Sequence, residues 1–243
     1  MFSGKFVNSI VTPIGIDISK YKNISAEQNN RIVSIGRLTK WKKYNSHMVD
    51  VVYFLKAKNI IIKYDAYGDG DQQPYLIEKV EKYDISDQVT FHPNIPYSQF
   101  QDIIDNSLMF IGAGTALIEA SACGIPSLIG IENEEEPLTY GFLHDTKGFS
   151  YQEQQLDFKK SKIEDYIVNL KEIDIESYKE ECLKAQRRAK DFSIKTTIQD
   201  FIKMLDTAKS HDFRLNTFEL KLIVLSMFVN KMISPNTNYS RRL

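Results

Sequence analysis

At 243 residues, 42% hydrophobic and 26% charged, the chain has the make-up of an ordinary folded protein with room for one substantial core, not of a disordered polypeptide. Lysine and arginine number 31 against 32 aspartate and glutamate, so no summed charge points to nucleic acid, and any capacity to hold an anion has to be local. Two cysteines, Cys123 and Cys182, lie far apart without metal-ligating neighbours, which argues against a disulfide framework or a zinc site and fits a reducing compartment.

The N-terminal stretch MFSGKFVNSIVTPIGID has neither a long apolar core nor a small-residue cleavage pattern, so a secretory leader is not expected and a cytoplasmic location is. From residue 31 short apolar runs alternate with longer amphipathic stretches. RIVSIG (Arg31 to Gly36) is a strand candidate followed by the basic turn RLTKWKK, and NSHMVDVVYFLKAK carries Met48, Val51, Val52 and Leu55 at helical spacing. NIIIKYDAY is a second strand ending at GDGD, QPYLIEKVEKY a helix, DQVTFH a strand and YSQFQDIIDNS a helix. LMFIG is again a strand, TALIEASAC a helix and IPSLIGI a strand.

This alternation, with strands apolar on both faces, predicts an α/β fold with a Rossmann-like parallel sheet and helices on both faces. From about Leu156 the strand signals stop. SKIEDYIVNLKEI and the stretch Ile175 to Lys209 read as polar-faced helices, and LNTFELKLIVLSMFVNKMI as a far more apolar one, its longest run well short of the roughly 20 residues needed to span a membrane.

Ligands of parallel sheets gather at the carboxyl ends of the strands, which puts the chemistry in the turns GRLTKWKK, GDGD, HPNIP and GAGT. Arg37 and Lys42 follow the first strand directly and suit a diphosphate, Arg through two-point contact with its oxygens, whereas Lys40 and Lys43 read more naturally as solvated. Gly112, Ala113, Gly114 and Thr115 open a helix, and backbone N–H groups at a positive helix end suit phosphate. A plain glycine-rich turn with a solvated Glu119 is the other reading of that stretch. Thr115 is the expected N-cap, with Gly124 and Pro126 as the stop. GDGD reads as a turn with Asp71 capping the next helix, rather than as a metal-binding carboxylate pair. His92 is expected to line a site at most, His144 lies in a loop that could approach a substrate, and no metal site is expected.

These turns, in this order, resemble the C-terminal, donor-binding half of GT-B glycosyltransferases, in particular the large retaining group that uses nucleotide sugars. The motifs that carry the resemblance are GRLTKWK, YGDG, VTFHPN and EASACGIP, spread between about Val11 and Gly141. The last is fairly specific, and the others gain weight from their order and spacing. The resemblance implies that Arg37 and Lys42 bind the donor diphosphate and stabilise it as it leaves, which is electrostatic catalysis without obligatory metal. It implies that Glu119 accepts hydrogen bonds from ribose hydroxyls and that Gly112 to Thr115 present N–H groups to phosphate and sugar. Pro93, Asn94 and Ile95 would lie along the nucleobase, and Gly36 and Gly68 are counted among the donor-binding positions. The donor would be a nucleotide diphosphate sugar, UDP-linked rather than GDP-linked, with no cofactor.

Two departures stand out. The group often carries a further Glu eight residues before the ribose Glu, touching the donor sugar; here that position is Ile111, so sugar recognition has to come from elsewhere. Pro93 also stands where Gly is usual.

The expected division is an interdomain-linker-like segment at 1–30, a Rossmann-like nucleotide-sugar-binding domain at 31–160 and a C-terminal helical extension at 161–243. An acceptor-binding N-terminal half would then come from a longer protein or a partner subunit, and the isolated chain would bind donor without transferring sugar. The last helix, flanked by Lys221, Lys231, Arg241 and Arg242, would pack on that missing half, cover the core or touch a membrane surface at the inner face of the cell membrane. A lipid-linked or polysaccharide precursor in bacterial surface-glycan assembly, such as O-antigen, is the expected acceptor. A GT-B nucleotide-sugar epimerase is the other enzymatic reading, against which Ile111 counts. A non-catalytic nucleotide-binding or assembly module is the reading from another class.

Overall fold

A computed structural model describes residues 12–22 and 27–207. One compact unit runs to Met204, and of a second unit that starts at Leu205 only residues 205–207 are described. The apolar C-terminal segment with Lys221, Lys231, Arg241 and Arg242 therefore lies outside the described residues.

Five strands, β1 (Arg31–Ile35), β2 (Lys63–Tyr67), β3 (Val89–His92), β4 (Met109–Gly112) and β5 (Ser127–Ile129), form one sheet in the order β3-β2-β1-β4-β5, with every pair parallel. This is the α/β architecture that the alternating pattern predicts. The chain runs outward from β1 to β3, then crosses back to place β4 on the other side of β1, so the order reverses between β1 and β4. At such a reversal the loops leaving the two strands diverge and open a crevice at their carboxyl ends.

Period-two alternation builds a core on each face. Ile32, Tyr64, Ala66, Met109, Ile111 and Leu128 face one cluster, shared with α1 (Tyr44–Ala57), α2 (Gln73–Lys82) and α5 (Ile163–Glu172). Val33, Phe110 and Ile129 face the other, shared with α3 (Phe100–Ile104) and α4 (Thr115–Ala122). Side chains such as Ile32, Leu55 and Leu117 are fully buried, each contributing about 1.5–3 kcal/mol of hydrophobic stabilisation. Tyr64 is also fully buried, and its hydroxyl is satisfied by Asn45 Oδ1 at 2.8 Å and Ser34 Oγ at 2.7 Å.

The helix ends have local causes. In α1, α2 and α4 the last turn closes in the same way, with the left-handed position held by Asn59, Asp84 and Gly124 in turn. The next N–H then reaches back to Leu55, Val80 and Ala120. Gly124 thus stops α4 as expected. At the other end of α4 the N-cap is Gly114, not Thr115, and no side chain caps it. Likewise α2 is capped by Gln72 without a side-chain bond, so Asp71 belongs to the turn but is not the cap.

The polar-faced C-terminal stretch is three helices. α5 and α6 (Ile175–Ala189) pack into the same compact unit as the sheet, through Ile163, Ile167, Leu170, Tyr178 and Cys182. A 3-10 turn at Lys190–Phe192 then buries Phe192 before α7 (Ile194–Thr207). Ile16 docks there, its N–H donating to Phe192 O at 2.8 Å and its carbonyl accepting from Ile194 N–H at 2.8 Å. A second sheet interrupts the helical region: β6 (Leu138–Thr139) pairs antiparallel with β7 (Ser161–Lys162), strands too short for an alternating pattern to register in the sequence.

The turns after β1 and β2 lie directly on one another. A Cβ on Gly68 would stand 2.1 Å from Gly36 O, and one on Gly70 2.1 Å from Leu38 O. Gly68→Ala is expected to lower stability by about 3 kcal/mol, the upper end of overpacking costs, because the obstruction is backbone. A shift of the urea midpoint at unchanged m-value checks it.

Candidate functional site

Backbone bonds tie the β1 turn to the turn after β2. Gly36 N–H donates to Tyr67 O at 2.9 Å, Leu38 N–H to Asp69 O at 2.7 Å and Gln72 N–H to Leu38 O at 3.1 Å. Arg37 projects from this fixed segment into solvent, its guanidinium 5.7 Å from the centroid of the Trp41 ring. Lys42 folds back over the strand end, so that a Cβ on Gly36 would stand 3.1 Å from its Nζ. Burial pushes the Lys42 ammonium below the ordinary lysine pKa; Glu132 counters this and Arg37 adds to it. Arg37, Lys42 and Glu132 therefore feel one another at the carboxyl end of β1, and neither the Lys42 ammonium nor the Glu132 carboxylate has a hydrogen bond or ion pair among the described residues.

The β4 turn lies beside it, on the neighbouring strand. Gly112 O accepts from Gly130 N–H at 2.7 Å, and Gly114, at φ 72°, turns the chain into α4. The N–H of Gly114 is occupied, donating to the side-chain oxygen of Gln152, while its carbonyl accepts from the Tyr151 hydroxyl at 3.1 Å. A cavity of about 160 Å³ lies at this helix end, lined by Pro13, Ile14, Gly114, Thr115, Phe149 and Gln152 among others. Residues 149–153 thus form a strap across the glycine turn, and no signal in their sequence points to it.

Glu119 is 6% exposed, which excludes the solvated reading. Its Oε1 accepts from the Tyr97 hydroxyl at 2.9 Å, and Tyr97 and Tyr21 share a further hydrogen bond. The Cys123 thiol is pushed up to about 12 by burial and by the Glu119 charge, which leaves it unreactive. Tyr97 ends the loop that begins with the exposed Pro93 and Asn94 and the half-buried Ile95, so the turn after β3 reaches α4 through this one hydroxyl. Gly36 and Gly68 serve the stacking of the first two turns.

Other candidates stand apart. His92 is tied to Asp65 at 3.1 Å and stacks on Tyr67, and Asp65 also takes the Arg31 guanidinium at 2.6 Å. The His144 side chain is buried against Phe142, with Nε2 2.8 Å from Glu181, which ties it to α6. A larger cavity, about 440 Å³, lies between the β1 turn, α1 and α2, lined by Thr39, Lys40, Lys42, Lys43, His47 and Lys79 among others. Lys43 is paired there with Glu135 and Lys79 with Asp50. Neither Arg37 nor Glu119 lines either cavity. Among the described residues no three His, Cys, Asp or Glu side chains gather into a set that could hold a metal ion.

The sequence from 16 to 134, which contains both turns and Glu119, matches the family described as Glycosyl transferases group 1. These residues are consistent with a glycosyl transferases group 1 domain. The chain is 25% identical over 118 residues to the amylovoran biosynthesis glycosyltransferase AmsD of Erwinia amylovora, a match covering 46% of this chain and 32% of that protein. The chain therefore spans about a third of the length of this curated relative. Among solved structures, TarM of S. aureus, in complex with fondaparinux, alpha-GlcNAc-glycerol and UDP, superposes with a TM-score of 0.59 at 14% identity, covering 80% of this chain and 39% of that one. Alr3699/HepE of Anabaena, in complex with UDP and glucose, has a TM-score of 0.59 at 15% identity, covering 82% and 57%. At such identities the shared property is the fold, the Rossmann-like sheet expected from the GT-B resemblance. Among the described residues no helix is long and apolar enough to cross a membrane.

The coupling at the β1 turn has a direct readout. In side-chain NMR of ¹³C-lysine-labelled protein, Lys42 is expected to titrate below the ordinary lysine value, to move up in Arg37→Ala and further down in Glu132→Gln. A Lys42 resonance that responds to neither substitution contradicts the geometry.

Proposed function

We propose that this domain binds a nucleotide diphosphate sugar at the reversal between β1 and β4 and presents it for sugar transfer. The observation that carries this reading is the adjacency of two turns. Arg37 and Lys42 follow β1, Gly112 to Thr115 follow β4, and β1 and β4 are neighbours in register, Ile32 with Met109 and Val33 with Phe110. Two cations and a helix N-terminus then converge on one anion from two sides. Arg37 and Lys42 hold the diphosphate and stabilise it as the sugar departs, the point at which negative charge grows most. Glu119 accepts the ribose hydroxyls once Tyr97, 63% exposed and therefore cheap to displace, gives up its bond. Pro93 to Ile95 lie along the base, and UDP is the favoured nucleotide.

The same reading makes the reaction retaining and assigns the acceptor to a second domain or subunit, so that this chain alone binds donor without turnover. It sets the domain on the cytoplasmic side, in contact with a lipid-linked or polysaccharide precursor of a bacterial surface glycan. Amylovoran biosynthesis, named for the relative in Erwinia amylovora, is the kind of setting that supports this.

Calorimetry tests it. UDP is expected to bind the chain, Arg37→Ala to weaken binding about 10- to 100-fold and Glu119→Gln about tenfold, the scale of charge-assisted hydrogen bonds. Undetectable binding of both UDP and GDP, or affinities untouched by both substitutions, refutes the assignment. Gln152→Ala frees the Gly114 N–H and is expected to raise UDP affinity by about two- to tenfold, since no internal hydrogen bond then has to be exchanged.

A further inference from the structure

We infer that Glu132 is the carboxylate that reads the hydroxyls of the donor sugar, a role that rests on the donor-binding reading above and adds to it a specificity-determining residue. Three observations place it there.

First, the position from which a sugar-touching Glu would be expected is unavailable. Ile111 is fully buried and belongs to the core cluster that holds α1 and α5, so neither it nor a polar replacement could face the crevice without opening that core.

Second, the backbone around Glu132 is fixed across the site. Gly130 N–H donates to Gly112 O at 2.7 Å, Glu132 N–H to Gln152 O at 2.8 Å and Asn133 N–H to Trp41 O at 2.7 Å. Residues 130–133 therefore bridge the glycine turn of β4, the strap and the basic turn of β1. Gly130 cannot carry a side chain here, because a Cβ would stand 2.3 Å from the Tyr44 ring. This segment passes over both proposed phosphate-binding elements at close backbone range.

Third, Glu132 is half-buried and its carboxylate has no hydrogen bond or ion pair among the described residues, although acidic neighbours in the same loop are consumed structurally: Glu134 by Lys160 and Glu135 by Lys43. It lies close enough to Lys42 and to Tyr44 to disfavour loss of a proton from both. A carboxylate next to a diphosphate is unfavourable unless something between them donates hydrogen bonds to it. The hydroxyls of the sugar attached to that diphosphate are such donors. A fixed carboxylate can accept two at once, which distinguishes sugars by the placement of adjacent hydroxyls.

The test compares bare nucleotides with their sugar conjugates on the 243-residue chain. Calorimetry uses UDP, GDP, UDP-glucose, UDP-galactose, UDP-N-acetylglucosamine and GDP-mannose, on wild type and the near-isosteric Glu132→Gln, with a thermal melt to establish that the variant is folded. Glu132→Gln is expected to leave the bare nucleotide bound as well as or better than before, since a negative charge beside the phosphates is gone, and to weaken the best conjugate by at least tenfold. Equal losses for nucleotide and conjugate, no loss for either, or a wild type that binds every conjugate no differently from its bare nucleotide overturns the inference and leaves the donor site standing. A wild type that binds no nucleotide at all overturns the donor site and this inference together.

Discussion

The hydrogen bonds that join β1 to β4 are the constraint on which the carboxyl edge of this domain depends. Leu108 N–H donates to Arg31 O at 2.7 Å, and the two strands then run in register from Ile32 and Met109. Segments separated by the whole of α1, β2, α2, β3 and α3 become immediate neighbours, and their side chains alternate into two separate cores. A slip of one residue would send Ile111 to the face of Phe110 and carry Gly112 away from Gly130, so burial on both faces enforces the alignment. The geometry at the strand ends is thus a by-product of core packing, which is why it is rigid enough to position charges.

Around that edge several polar groups already have an internal partner. Gly114 N–H is held by Gln152, Glu119 by Tyr97, His92 by Asp65 and Glu134 by Lys160. Lys42 and Glu132 are exceptions, and both flank the same turn. Two opposite charges without a hydrogen bond or ion pair among the described residues are what the donor site proposed above would use, an outside molecule completing the pairing.

Much of this could be anticipated from residues alone, because the cues were local or periodic. The five parallel strands followed from apolar alternation, α1 from the spacing of Met48, Val51, Val52 and Leu55, and the end of α4 from Gly124. What stayed hidden depended on contacts distant in sequence. Asn59 and Asp84 end helices in a conformation more often given to glycine. The two-residue strands β6 and β7 exist only because each pairs with the other. Gln152 and Glu132 occupy stretches without periodicity, while Tyr97 opens a stretch read as a helix; their partners, Gly114, the carbonyl of Gln152 and Glu119, lie 38, 20 and 22 positions away. The turn motif YGDG was visible, but its stacking role was not: glycine there answers to Gly36 and Leu38 of another strand.

In the donor site proposed above, the Tyr97 hydroxyl on Glu119 would bear on how quickly the domain lets go. A buried carboxylate stripped of every donor is costly, and a site whose acid had no resident companion would cling to whatever pentose first satisfied it. Here the companion sits on an exposed ring, and in the donor site proposed above it would resume its place when the nucleotide leaves. In the donor site proposed above, entry and exit would then be a swap of one hydroxyl for another, so the acid would confer selectivity without slowing release of the nucleotide.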